Sequence, residues 1–324
     1  MNWKAISYLT LIAVISGVFF SCYKTKNFST NLTAQIDTAI VIQSIDQVRV
    51  DAILDEVFND VNRVLSNQSA ITGAGFGTDT ALCDMTLALD TVDATHSISI
   101  TYSSNACDIN YYRGGNVTIY FLPGAQWTTP LASFGVNITN LIVHGVTDTN
   151  YLELNGNFQY VNVSGGSVAT LTAGSTPVTH QILCTTGLGI IFNQNDILDT
   201  ATWQVARQRV YTNNGSGISI TTTGIDTVGG ITNVAEWGGN RYGNSFIAAI
   251  DSPLVMSSGC GYKISSGHLA VTNPAGVTTM TYGLNSGGTA TGCPASGSYY
   301  YFQTSWAGSD SDPYSAVRPY PYTN

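Results

Sequence analysis

From about Leu82 onward the chain alternates. Ser97-Ile-Ser-Ile-Thr-Tyr102 places an apolar side chain at every second position, and so do Asn116-Val-Thr-Ile-Tyr-Phe121 and Val136-Asn-Ile-Thr-Asn-Leu-Ile-Val143. Successive side chains of a strand point to opposite faces, so a period of two means one buried face and one wet face. Trp203–Tyr211 mixes apolar residues with Gln and Arg on the same spacing, and similar runs recur through Ser298–Trp306. Gly114-Gly115, Gly165-Gly166, Asn213-Asn214-Gly215 and Gly238-Gly239 punctuate the runs. Such pairs suit the positive φ of tight hairpin turns. The pattern predicts an all-β protein, an antiparallel meander or sandwich built as one large sheet or two consecutive ones. No fixed repeat of solenoid length is visible. Ala173–Thr202 has the weakest alternation. It is the candidate boundary between a first β region, 82–172, and a second, 203–324.

One amphipathic helix is expected before the sheet, over 45–68. Val50, Ile53, Leu54, Val57, Phe58, Val61, Val64 and Leu65 fall at helical spacing on one face. Asp51, Asp55, Glu56 and Asp60 fill the other, and read as a solvated acidic face. No second long helical pattern follows, which argues against βαβ units. The run Gly73-Ala-Gly-Phe-Gly77 lacks the Lys-Ser/Thr ending and the preceding strand of a phosphate loop.

The first residues have the layout of a secretory signal peptide: Lys4, then an apolar run from Ala5 to Phe20. The run is shorter than the roughly 20 residues a membrane span needs. It ends Phe19-Phe20-Ser21-Cys22, which resembles a bacterial lipobox. Residues 1–21 are therefore expected as a lipoprotein signal. Cys22 is the expected lipidation site, and 22–44 a polar tether. No acidic cluster follows Cys22, which favours the periplasmic side of the outer membrane over the cell surface. The expected attachment is to membrane through the anchor, with envelope proteins or glycans as partners.

Charge is scarce. Lys and Arg number 11, Asp and Glu 20, which is 10% of 324 residues and a net charge of −9. An ordinary soluble domain carries about 25%. So few cations argue against nucleic acid, which demands a basic surface. With 44% apolar residues the chain is also not a disordered polyelectrolyte.

Besides Cys22 there are Cys83, Cys107, Cys184, Cys260 and Cys293. An oxidising compartment permits disulfides, and an odd number leaves one thiol over. Cys83–Cys107 and Cys260–Cys293 are the expected pairs, each a hairpin or two apart. Cys184 is the expected buried thiol, although spacing alone does not choose among the pairings. Zinc needs closely spaced ligands, and neither a C-x-x-C nor paired histidines are present. No cofactor or resident metal is expected. Asp310 and Asp312 in a Gly/Ser loop form only a weak Ca²⁺ signal.

Four groups of strings, in order, resemble a family of uncharacterised Bacteroidetes lipoproteins. They are Cys83-Asp-Met-Thr with Ser97–Tyr102, Cys107 and Arg113-Gly-Gly115-Asn-Val-Thr-Ile; Phe134-x-Val-x-Ile-x-Asn140 with Leu154-Asn-Gly156; Ala235-Glu-Trp-Gly-Gly-Asn-Arg-Tyr-Gly243 with Pro253-Leu-Val255 and Cys260; and Thr281-Tyr-Gly-Leu284 with Gly292-Cys-Pro294, Tyr299–Phe302 and Trp306. The resemblance spans roughly Cys83 to Tyr320. It implies an envelope lipoprotein with no assigned activity and agrees with the two cysteine pairings. It carries over no functional residue.

Chemistry is thin. There is no G-x-S-x-G, and His96, His144, His180 and His268 are scattered. Glu153 and Glu236 are the best pair for glycoside hydrolysis, which needs two carboxylates across a cleft. A salt bridge between Glu236 and Arg241 is the blander expectation. Arg113 and Arg241, each beside Gly and Tyr, are ligand-contact candidates because Arg both stacks and binds carboxylates. Trp127 and Trp237, with Trp203, Trp306 and Tyr299–Tyr301, are candidates for a sugar-stacking platform. Aromatics on strands are more often core. The sequence therefore favours a non-enzymatic, lipid-anchored envelope protein with a structural or protein-binding role. A glycan- or ligand-binding module comes second and a glycosidase-like enzyme third.

Overall fold

Antiparallel strands run almost without interruption from Met85 to Pro319. A computed structural model describes residues 32–66, 84–92, 95–103, 111–145, 148–293, 300–306 and 314–320. Helix α1 spans Leu32–Ser66. The strands are β1 (Met85–Asp90), β2 (His96–Tyr102), β3 (Tyr111–Phe121), β4 (Ala132–Gly145), β5 (Tyr151–Asn162), β6 (Val178–Gln194), β7 (Ile197–Asn213) and β8 (Ile218–Gly224). There follow β9 (Asp226–Val228), β10 (Ile231–Gly239), β11 (Ser245–Ser257), β12 (Ile264–Asn273), β13 (Gly276–Leu284), β14 (Tyr301–Trp306) and β15 (Tyr314–Pro319). Residues 1–42 and 43–324 are two units. Among described residues the first holds the opening turns of α1. The second holds the helix from Gln43 and every strand. The helix starts earlier than the expected 45, so part of the expected tether, from Leu32 on, is helical. Ile36 and Ile40 carry the four-residue apolar spacing back into it.

All fifteen described strands join one sheet, in the order β1 through β7, then β10 through β15. Two strands depart from that order. β8 pairs with both β7 and β11, and β9 pairs with β10. The long strand β7 thus changes partner midway. Thr202–Val205 pairs with β10, and Arg207–Asn213 pairs with β8. β8 and β10 meet end to end between β7 and β11, and the fit is close. A side chain at Gly224 would stand 2.0 Å from the Asn233 carbonyl oxygen, so only glycine closes this junction.

In the stretch Ala173–Thr202, expected as the loosest region, 173–177 is turn and irregular chain; the rest is the hairpin of β6 and the start of β7. Their pairing runs from Val178–Tyr211 to Gln194–Ile197, with one register shift between Cys184 and Leu188. The alternation is present but disguised. His180 takes an inward position and is buried, while Leu183 and Ile191 take half-exposed positions on the other face. The sheet therefore continues from β5 through β6 into β7.

Within the second unit the sheet curls round α1. Val48, Val50, Ile53, Leu54, Val57, Phe58, Val61 and Leu65 are buried, and so are Gln47, Asp51, Asp55 and Asp60. At 100° per residue these positions circle the helix, and a helix buried all round is an interior one. Each large apolar side chain so buried contributes about 1.5–3 kcal/mol. Phe58 meets Phe158 and Tyr160 of β5 with ring centres 5.2 and 5.3 Å apart. Glu56 touches Tyr111 of β3 and Lys263, just before β12, so distant parts of the sheet reach one carboxylate. Trp127, in the β3–β4 connection, stacks on Tyr160 at 4.7 Å and lies against Phe134 and His180.

On the outer face, amides and hydroxyls pair across strands where charges are scarce. Thr101 bonds Asn116 at 2.8 Å, Gln159 bonds Ser133 at 2.9 Å and Gln303 bonds Ser315 at 2.8 Å. Such cross-strand pairs contribute a few tenths to about 1 kcal/mol each. Apolar side chains inward and polar ones outward is the reverse of the alternation that faces lipid in a membrane barrel. Among the described residues no helix is long and apolar enough to cross a membrane.

Candidate functional site

The chain's scarce charges gather in its interior. Asp51, Asp55 and Asp60, expected on a solvated helix face, are buried against arginines from the sheet, and Glu56 is partly buried beside Lys263. Arg207 lies where β7 changes partner, and Val205 pairs with Glu236 of β10 in the same place. Its guanidinium reaches three carboxylates: Nε donates to Glu236, Nη2 to Asp51 at 2.5 Å and Nη1 to Asp55 at 3.3 Å. Arg209, two residues on and on the same face, donates to Asp55 and, at 3.2 Å, to Asn59. Gln47 donates to both Asp51 and Glu236.

Three carboxyls and two guanidiniums balance only if one carboxyl keeps a proton. Burial raises the pKa of Asp51 well above the usual range, against the pull of Arg207, with Glu236 and Asp55 adding to the rise. Burial raises Glu236 in the same way. Asp51 Oδ2 meets no partner among the described residues. Gln47 bridges Asp51 and Glu236, while Gln47 Oε1 and Arg209 Nε, like Asp51 Oδ2, meet no partner among the described residues.

Arg113 and Arg241, the two ligand-contact candidates, are spent the same way. Arg113 grips Asp84 with Nε at 2.7 Å and Nη2 at 2.8 Å, and reaches Asp60 with Nη1 at 2.8 Å. It also lies over the Tyr102 ring, 4.4 Å from its centre. Arg241 holds Asp46 at 2.7 and 2.5 Å and lies 4.1 Å from the centre of the Phe192 ring. The expected Glu236–Arg241 bridge is therefore replaced by Glu236–Arg207 and Asp46–Arg241. β10 points Glu236 at the helix, whereas Arg241 lies in the turn after that strand, beside the helix residue one turn back. Both arginines are buried and committed to the fold, not presented to a ligand.

The remaining candidates separate. Trp127, Trp203 and Trp306 are buried, so the sugar platform keeps only the half-buried Trp237 and Tyr301 among the described residues, and Tyr299 lies outside them. Tyr300 is buried and donates to the Cys260 carbonyl at 2.7 Å. Glu236 faces the interior, whereas Glu153 alternates with the buried Leu152 and Leu154 and bonds Asn155 on the other face. The two carboxylates cannot share a cleft. Cys260 and Cys293 form the expected disulfide, and Cys184 is a buried thiol. Cys22, Cys83, Cys107, Asp310 and Asp312 lie outside the described residues.

Two buried groups give opposite pH dependences. Burial, helped by Arg209, lowers His180 to about 3; its Nδ1 meets the Tyr160 hydroxyl at 2.7 Å. Between 6.5 and 3 the unfolded chain binds the extra proton, so this contribution is lost as pH falls. Burial, opposed by Arg241, raises Asp46 from 3.8 to about 6. Here the native state binds the extra proton, so this contribution is lost as pH rises from 3.8 to 6. The two oppose each other over that interval. Denaturant titrations at a series of pH values should separate them. Asp46→Asn should make the slope of stability with pH between 4 and 6 more positive, and His180→Gln should make it more negative. Equal slopes in all three chains would refute both assignments.

An opening of about 600 Å³ lies beside the last two turns of α1. Asn59, Asn62, Arg63 and Ser66 form one wall at spacings of three and four, which places them on one helix face. Ile218 and Ile220 of β8 belong to the opposite, apolar wall. Sequence reasoning passed over this stripe, although its spacing was visible: it is the amide- and hydroxyl-rich stretch of an otherwise apolar and acidic helix. A second opening, of about 570 Å³, borders Trp237, Gly238, Gly239 and Phe246.

Comparisons with protein-family models, with curated proteins and with solved structures gave no match to the chain.

Proposed function

We propose that the protein is a lipid-anchored, non-enzymatic component of a bacterial cell envelope, held by Cys22 on the periplasmic side of the outer membrane. The observation that carries the non-enzymatic half is the fate of the charges. Asp46, Asp51, Asp55, Asp60, Asp84 and Glu236 are paired with Arg113, Arg207, Arg209 and Arg241 inside the fold. Acid–base chemistry needs a titratable group that a substrate can reach, and these groups are used to hold the helix. The anchoring half rests on the signal-like residues 1–21 and on Cys22. Several acyl chains at about 0.8 kcal/mol per buried CH₂ would hold the chain firmly.

Fractionation with mass spectrometry of the N-terminal peptide tests the anchor. The natural chain should partition with membranes and start at an acylated Cys22. Cys22→Ala should appear in the soluble fraction or as uncleaved precursor. Unchanged, unacylated membrane retention would refute the anchor.

A ligand-binding role is the second reading. The opening at the end of α1 favours it, because its volume lies in the range of roughly 300–1,000 Å³ typical of small-molecule sites.

A further inference from the structure

We propose that the opening at the end of α1 is a binding site for a neutral saccharide of one or two rings. The proposal deepens the ligand-binding reading and stands whether or not Cys22 is acylated. The strongest sign is Asn62. This side chain is 92% buried, being 8% exposed, and its Oδ1 has no partner among the described residues. Such an acceptor is costly to leave unmet. Ser66 Oγ, one turn on along the same face, is in the same state. Both atoms belong to residues that line the opening. Asn59 Oδ1 accepts from Arg209, so its amide nitrogen remains as a donor. Amide and hydroxyl groups that both donate and accept are what sugar hydroxyls need.

The opposite wall and the rings supply the rest. Leu171, Ile218 and Ile220 offer an apolar surface for the C–H face of a sugar ring. Tyr262 borders the same space, and its backbone is held at φ 57°. That conformation is strained for a tyrosine and is tolerated where surrounding structure fixes it. Here the Tyr262 N–H donates to the Ser257 carbonyl at 2.9 Å, and Cys260 in the same turn is tied to Cys293.

The polar groups of the wall are mostly amides and hydroxyls. Arg63 is the one charged residue among those lining the opening, and it is exposed. An acyl chain would leave Asn62 Oδ1 and Ser66 Oγ unmet, which disfavours a purely apolar occupant.

The test is saturation-transfer NMR on the full chain in detergent. The probes are glucose, galactose, mannose, N-acetylglucosamine, maltose and cellobiose at millimolar concentration. At least one should show saturable transfer. Asn62→Leu should weaken that binding at least tenfold. Ala169→Trp, at an exposed lining position, should abolish it with little change in the melting temperature, and decides the matter if Asn62→Leu fails to fold. Trp237→Ala should bind as the natural chain does. Absence of transfer from every probe overturns the proposal. So does binding that survives both lining variants, or binding that depends on Trp237. None of these results bears on the membrane fractionation of Cys22→Ala.

Discussion

Arg207→Met should cost about 3–5 kcal/mol, the usual penalty for removing one side of a buried ion pair. The loss leaves Asp51, Asp55 and Glu236 facing one another at near-complete burial. For a unit of this size the melting temperature should fall by roughly 10 °C. The diagnostic is the rescue. Adding Asp51→Asn and Glu236→Gln to Arg207→Met removes the stranded charges and should recover part of the loss, since well-packed neutral replacements of buried ion clusters are often tolerated. Chemical denaturation of the natural chain, Arg207→Met, Asp51→Asn with Glu236→Gln, and the triple variant gives the coupling. A single-variant loss below about 1 kcal/mol would show that the cluster does not hold the helix in place.

Removing the helix should have a larger effect still. A chain starting at Asp84 should not fold cooperatively, because the inner face of the sheet then exposes Phe158, Tyr160, Trp203 and the two arginines of β7. Near-UV circular dichroism should be lost and dye-binding apolar surface gained. A synthetic peptide of residues 43–66 should restore both when added in trans. It would return Val48, Ile53, Val57, Phe58 and Val61 to the core and Asp51 and Asp55 to Arg207 and Arg209. A sharp, native-like unfolding transition in the chain lacking the helix would mean that the sheet stands alone and that the helix merely fills it.

The strands were readable because alternation is a local property. The phase of that alternation was readable too. In Trp203-Gln-Val-Ala-Arg-Gln-Arg-Val-Tyr211 the two arginines share parity with Trp203, Val205 and Tyr211, so an inward tryptophan implies inward arginines. Arg113 likewise shares parity with Tyr111 and Val117. The acids of α1 were misread because amphipathic pattern alone assumes that the polar side of a helix meets water. Nothing local says that a curled sheet will cover that side. The information lay in the match between inward arginines and helix acids, which are far apart in the chain. The opening at the end of α1 was hidden for a different reason. Asn59, Asn62 and Ser66 are ordinary surface residues until β8 and Tyr262 are brought against them. The curl of the sheet, a long-range outcome of twist and register, decides that.

The order of synthesis sets a constraint on how this interior is assembled. The helix emerges first, yet the cations that neutralise it come much later. Asp51 and Arg207 are 156 residues apart, and Asp46 and Arg241 are 195 apart. Until β7 and the turn after β10 exist, the helix carries acids it cannot bury. Its polar side must then remain in water while its apolar side seeks cover. Contacts of such separation slow folding. They also delay commitment: Asp60 meets Arg113 early, but no partial sheet short of Arg207 offers Asp46, Asp51 or Asp55 a partner. A nascent chain of this design would be a client for holding factors until about three-quarters of it has been made.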